Sequence, residues 1–169
     1  MRIQFPVPYF CQWDNLLHRS GSCNLTSAAM ECNYFGVSTT PDELLQYADD
    51  HGLDRHSPYD IKYIMEKHGI KDQFSATSKW HDIKEHIKNK LPVILHGYFT
   101  PSGHIMVLHG IDEEKGLFLM NDPAGKWNQK LNGSYNGWIS GQDQWYNSRI
   151  VREVVGPDGD CWSHRCSKA

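Results

Sequence analysis

Apolar residues recur at helical spacing through the first half of the chain and in short unbroken runs through the second. Ser22-Cys23-Asn24 precedes Leu25, Ala28, Ala29, Met30 and Cys32, which predicts a buried helix ending near Gly36. Thr40-Pro41-Asp42-Glu43 carries a capping hydroxyl, Pro at the first helical position and acids in the first turn, and that helix runs to Gly52. Ser57-Pro58 opens a third, with Ile61, Ile64 and Met65 on one face and Gly69 as its stop. A fourth covers Trp80 to Asn89, where Ile83 and Ile87 lie four apart. From Leu91 the period changes. Val93-Ile94-Leu95, Ile105 to Ile111 and Leu117 to Asn121 predict strands, the last two joined by the turn Asp112-Glu113-Glu114-Lys115-Gly116. Ile150 to Val155 reads as a further strand, and Asn132 to Trp145, rich in Gly, Asn, Ser, Trp and Tyr, as a long loop. Helices followed by antiparallel strands predict an α+β fold.

The length of 169 residues suits one domain around one core. Residues 1–155 are read as that domain and residues 156–169 as a C-terminal tail, expected to be disordered. No apolar run reaches the roughly 18 residues that a membrane helix needs. The start Met1-Arg2-Ile3-Gln4-Phe5-Pro6 lacks the pattern of a cleavable signal, so synthesis in the cytoplasm is expected. A net charge of -3 with scattered Lys and Arg argues against binding to nucleic-acid phosphates. Charging all 10 His would take the net from -3 to +7, so the surface turns cationic near the imidazole pKa of about 6.5. The 5 Cys, at 11, 23, 32, 161 and 166, are odd in number and do not form a disulfide framework, which fits a reducing compartment.

Among these thiols Cys23 stands out, because it follows Ser20-Gly21-Ser22 and opens an apolar helix. At the positive end of a helix dipole a thiolate nucleophile is favoured, although a small apolar residue packing a helix start would read the same way. Cys32 and Cys11 have apolar and aromatic neighbours and are expected to pack. A thiolate needs a base that later protonates the leaving group. His104 opens a strand after Pro101-Ser102-Gly103, where the glycine leaves room for a substrate chain. His109, at odd spacing, faces the other side. His96 lies in a strand and stays in contention. His51, His56, His68, His81, His86 and His164 are expected on polar faces or helix ends. Asp122 is the expected orienting acceptor: His104 is eight residues before Asp112 and Asp122 six after Gly116, so both reach one end of the hairpin. A plain Asp turn is the other reading of Asp122. Its neighbour Asn121 faces the opposite side. The Cys23 amide and the Gln12 side chain are candidate oxyanion donors.

Together these residues resemble the C39-like branch of the papain-like cysteine peptidases. The likeness is carried by Cys11-Gln12-Trp13-Asp14-Asn15, by Ser22-Cys23-Asn24-Leu25-Thr26-Ser27-Ala28-Ala29-Met30, by His96 to Ile105, by Gly110-Ile111-Asp112 and by Asn121-Asp122-Pro123-Ala124-Gly125. It covers roughly residues 5 to 155. It implies a papain-like fold in which a helical subdomain with the nucleophile packs on an antiparallel sheet with His and Asp. It implies Cys23 as nucleophile, His104 as acid/base, Asp122 as orienter and Gln12 as oxyanion donor. Asn24 departs from the Gly that many relatives carry after the nucleophile. The resemblance extends to free-standing phage and bacterial members, and so to an endolysin. The expected partner is then a peptide, above all the peptide part of peptidoglycan, met at the cell wall after release through a holin. Processing of leader or effector peptides and non-catalytic peptide binding are the alternatives. Trp127, Tyr135, Trp138, Trp145 and Tyr146 suit contact with a glycan-peptide polymer, or equally a loop packed on itself. Cys161, His164 and Cys166 offer only three zinc ligands, or a Cys161–Cys166 disulfide, and Asp158 and Asp160 do not make an EF-hand loop. No metal and no cofactor is expected, and a monomer is.

Overall fold

The helices begin where their caps stand. In the computed structural model, which describes residues 1–169, a short strand β1 (Arg2–Gln4) leads through 3₁₀ turns to α1 (Cys23–Tyr34). Thr40 Oγ1 accepts the Glu43 amide at 3.2 Å ahead of α2 (Pro41–Asp50), and Ser57 Oγ accepts the Asp60 amide at 3.4 Å ahead of α3 (Pro58–Lys67). These caps are the ones the sequence pattern predicts. The chain continues through β2 (Ile70–Ser78), α4 (Trp80–Lys88), β3 (Val93–Gly97), β4 (His104–Asp112) and β5 (Leu117–Asn121). A small ribbon, β6 (Lys126–Trp127) with β7 (Tyr135–Asn136), interrupts the long loop before β8 (Gln144–Asn147), α5 (Ser148–Val155) and β9 (Cys161–Lys168).

The main sheet has the order β2-β9-β3-β4-β5-β8 and is antiparallel throughout, with β1 pairing β4 beyond the end of β3. Every residue of β4 is buried, so both its faces are covered. Leu25, Ala28, Ala29, Met30 and Cys32 of α1 belong to the same apolar core and are wholly shielded. No helix is long and apolar enough to cross a membrane. The α+β architecture stands, and Gly97 marks a close approach within it. A Cβ there would meet the Phe99 ring at 2.9 Å and the Val154 carbonyl at 3.0 Å, so only glycine lets α5 pack this tightly on β3.

Three expectations need correction. Residues 150–155 are helical, not a strand: Asn147 Oδ1 caps the Ile150 amide at 3.1 Å, and the buried pair Val151 and Val154 sits three apart, as a helix requires. The tail is not disordered, because β9 lies inside the sheet, with Phe74↔His164 on one side and Ile94↔His164 on the other. Its polar residues are matched by far upstream partners: Ser163 Oγ donates to Ser78 Oγ at 2.7 Å and His164 Nδ1 to Asp72 at 2.6 Å. The third is β2, a strand inside the half of the chain whose pattern predicts only helices. Removing residues 157–169 would therefore leave β2 and β3 with unpaired edges. We expect that truncation to abolish the cooperative thermal transition seen by circular dichroism, whereas a dispensable tail would leave it unchanged.

Candidate active site

Cys23 is the first residue of α1, and the turn before it is tied down from several sides. Asn15 Nδ2 donates to Ser22 Oγ and to Thr26 Oγ1, both at 3.0 Å. Gln12 Nε2 donates to the Arg19 carbonyl at 2.8 Å. Asn24 Oδ1 accepts the Leu25 amide at 2.8 Å. The Cys23 amide, at the helix start, has no acceptor within the helix and is left for a ligand.

His104 opens β4, and Asp122 directly follows β5. The pairing Val107↔Asn121 places Met106 opposite Asp122, and His104 two residues further on the same face. The two side chains meet there, His104 Nε2 lying 2.7 Å from Asp122 Oδ1. The other ring nitrogen, Nδ1, is then the one left for Cys23. The Tyr135 ring lies over the imidazole at 5.5 Å and 31°, and Phe99 meets its edge at 6.2 Å. Burial works against charge on this ring. The negative charges of Asp122 and Cys23, and hydrogen bonds to both, outweigh it and raise His104 to about 10. The ring thus keeps its second proton at neutral pH.

Asp122 is fully buried and well satisfied. Oδ1 also accepts the Ala124 amide at 3.1 Å, and Oδ2 accepts the Tyr146 hydroxyl at 2.9 Å. Tyr146 in turn accepts the Trp127 amide at 2.9 Å. Burial and the Asp122 charge push the Tyr146 phenol well above its ordinary range, so it stays a donor. Sequence reasoning missed this role, since nothing local separates Tyr146 from the other loop aromatics. Of that group Trp127 and Tyr146 are buried, Tyr135 covers His104, and Trp138 stands 98% exposed.

A cleft of about 540 Å³ opens beside this group, lined by Cys23, His104, His56, His96 and Trp162 together with Gly97 and Gly103. Gly103 has φ +86°, a left-handed conformation that places His104 at the cleft wall. Gln12 is buried under the turn before Cys23 and does not line the cleft, although its Oε1 has no partner. His109 lies in a β-bulge and donates to the Phe5 carbonyl at 2.7 Å, away from the site. Asn121 bonds the Val7 carbonyl and the Asp143 amide and orients no base. His164 corrects the expectation of a solvated histidine, since it is sealed in the sheet, whereas His56 is exposed as expected and lines the cleft. Cys161 and Cys166 are free buried thiols on one strand, separated by roughly 16 Å of extended chain, too far for a disulfide. No group of three or more His, Cys, Asp or Glu converges at metal-ligand spacing.

The model of the Peptidase C39-like family matches residues 4–151. No curated protein matches the sequence significantly. Among solved structures, a C39-like peptidase from Bacillus anthracis aligns with a TM-score of 0.71 at 14% identity, covering 100% of this chain and 98% of that one. A double glycine motif protease from an AMS/PCAT transporter, in complex with the leader peptide, aligns with a TM-score of 0.60 at 18% identity, covering 98% and 94%. At such identities the likeness is one of fold.

Two measurements follow from this geometry. The His104 proton is held more tightly in the folded chain than at the unfolded value of about 6.5. Its contribution to stability is therefore full below about pH 6.5 and is lost as pH rises through about 10. Urea unfolding of the parent minus that of His104→Gln should show this decline, and a flat difference would contradict it. Tyr146→Phe removes one donor from the buried carboxylate and should cost about 1–3 kcal/mol by the same assay.

Proposed function

The chain belongs to the Peptidase C39-like family, and on that premise we propose that it is a cysteine peptidase working through Cys23, His104 and Asp122. The observation that carries this reading is the 2.7 Å His104–Asp122 contact, placed in one cleft with a cysteine at a helix N-terminus. The Cys23 thiolate attacks the scissile carbonyl carbon. The resulting oxyanion is met by the Cys23 amide; Gln12, buried outside the cleft lining with one Nε2–H on the Arg19 carbonyl, supplies a second donor only if its other N–H turns toward Cys23. His104 Nδ1–H protonates the leaving amine, and the C–N bond breaks to give a thioester on Cys23. The neutral imidazole then takes a proton from water as the hydroxide adds to the thioester. Collapse returns the thiolate and the imidazolium, held throughout by Asp122.

For substrate we favour the peptide part of bacterial peptidoglycan. The exposed Trp138 and the loop around it offer aromatic surface to a glycan-peptide polymer. In that role the enzyme acts at the wall, as an endolysin released by a holin does. A second reading is cleavage after a double glycine in a leader peptide. It is supported by Gly97 and Gly103 in the cleft lining and by the fold shared with a protease of that specificity.

Turbidity of purified peptidoglycan separates these readings. The parent protein should clear the suspension, and Cys23→Ala, folded by circular dichroism, should not. Clearing by both would remove the thiol mechanism. Clearing by neither, with cleavage of a double-glycine peptide by the parent alone, would move the substrate to leader peptides. Gln12→Ala should retain folding and lower kcat by about 10²-fold.

A further inference from the structure

A second cavity, of about 260 Å³, lies away from Cys23 and shares no lining residue with its cleft. It forms where α4, the turn between β4 and β5, and α5 come together. Ile83 of α4, Ile111 of β4 and Phe118 of β5 line it, and all three are buried members of the core. Trp80, the first residue of α4, makes a side of the cavity, its ring 5.7 Å from that of Phe118 and tilted by 31°. Apolar floor and aromatic side together suit a flat apolar group.

The rim is cationic. Arg152 of α5, Lys84 and His81 line the cavity beside a single acid, Glu113. That acid is already engaged, because Lys84 Nζ and the Met1 amino group both bond to it. Arg152 has no such partner. It belongs to none of the ion pairs of the protein. Its guanidinium stands instead over two rings, 5.8 Å from the centre of Trp80 and 5.6 Å from that of Phe118. Two aromatic faces hold the planar group in place, and its N–H donors are left for an anion. Two fixed cations against one acid leave the lining positive with His81 neutral. The complement of such a cavity is an aromatic body that carries one carboxylate.

We propose that this cavity is a binding site for an aromatic carboxylate, its ring set among Trp80, Phe118, Ile83 and Ile111 and its carboxylate held by the Arg152 guanidinium. A free aromatic acid and the C-terminal phenylalanine of a peptide present the same chemistry. The inference does not depend on the peptidase reading.

The test is NMR of the full chain as Cys23→Ala, so that no turnover consumes a peptide, with the Trp80 indole N–H and the Arg152 Nε–H as reporters. The probes are 3-phenylpropionate and acetyl-Gly-Gly-Phe, each beside its carboxamide, with sodium acetate as the anion lacking a ring. At least one of the two acids should shift both reporters saturably, with a Kd of millimolar order or tighter. Its carboxamide should bind about tenfold more weakly, and acetate should not reproduce the shifts. Arg152→Gln should bind acid and carboxamide alike. Equal binding of the two acids would assign the site to a free aromatic acid, and tighter binding of the peptide to a chain end, both within the proposal. The proposal is overturned if neither acid shifts the Trp80 indole saturably, if the carboxamide binds as tightly as its acid, if acetate gives the same shifts, or if a folded Arg152→Gln still prefers the acid. Should Arg152→Gln fail to fold, the comparison of acid with carboxamide in the protein that retains Arg152 decides.

Discussion

The contact between Asp122 and His104 is the constraint on which the rest of the structure turns. A carboxylate with no exposure to solvent must be paired or neutralised, and here it is paired. The imidazolium takes one oxygen, a backbone amide shares it, and a tyrosine hydroxyl takes the other. Each partner comes from a different stretch of chain, so the carboxylate organises β4, the turn after β5 and β8 at once. The loop beyond is drawn in as well: the Asp122 amide donates to the Gly141 carbonyl at 2.8 Å, and any side chain at Gly141 would collide with the Asp122 carbonyl. Tyr9 closes the other side by donating to that same carbonyl at 2.7 Å.

Cys23, the proposed nucleophile, is supplied by a different part of the fold and needs its own support. α1 buries Leu25, Ala28, Ala29, Met30 and Cys32 in the core, while its first turn is fixed by amides: Asn15 on Ser22 and Thr26, Gln12 on Arg19. The seam between this helix end and the edge of β3 and β4 is the cleft. One wall carries Cys23 and His104. The other carries His96, which meets His164 of β9 at 2.8 Å. The strand that completes this second wall is the last in the chain, so the cleft exists only when the C-terminal segment has joined the sheet.

Much of this was legible in the residues. The Thr40 and Ser57 caps, each ahead of a proline, mark helix starts that form as read. The distances along the chain from the turn at Asp112 bring His104 and Asp122 to one sheet end, although a bulge at His109 shifts the register on the way. What could not be read has a common cause. Cys161 to Lys168 is polar and short, and it becomes a central strand because its partners lie 85 and 92 residues upstream, which no local pattern records. The segment Ile150 to Val155 has β-branched residues that favour a strand, but the Asn147 cap and the spacing of Val151 and Val154 win. Tyr146 and His164 looked like surface residues for the same reason: each is defined by a buried carboxylate far away in sequence.

The central claim is that Asp122 and Cys23 together hold a proton on His104 through the neutral range. Its most direct test is an NMR titration of the His104 ring in the reduced, folded protein. The account predicts that the imidazole stays doubly protonated until about pH 10 and releases its proton earlier once Cys23 is replaced by alanine. A ring that titrates at the ordinary value of about 6.5 in both proteins would contradict it.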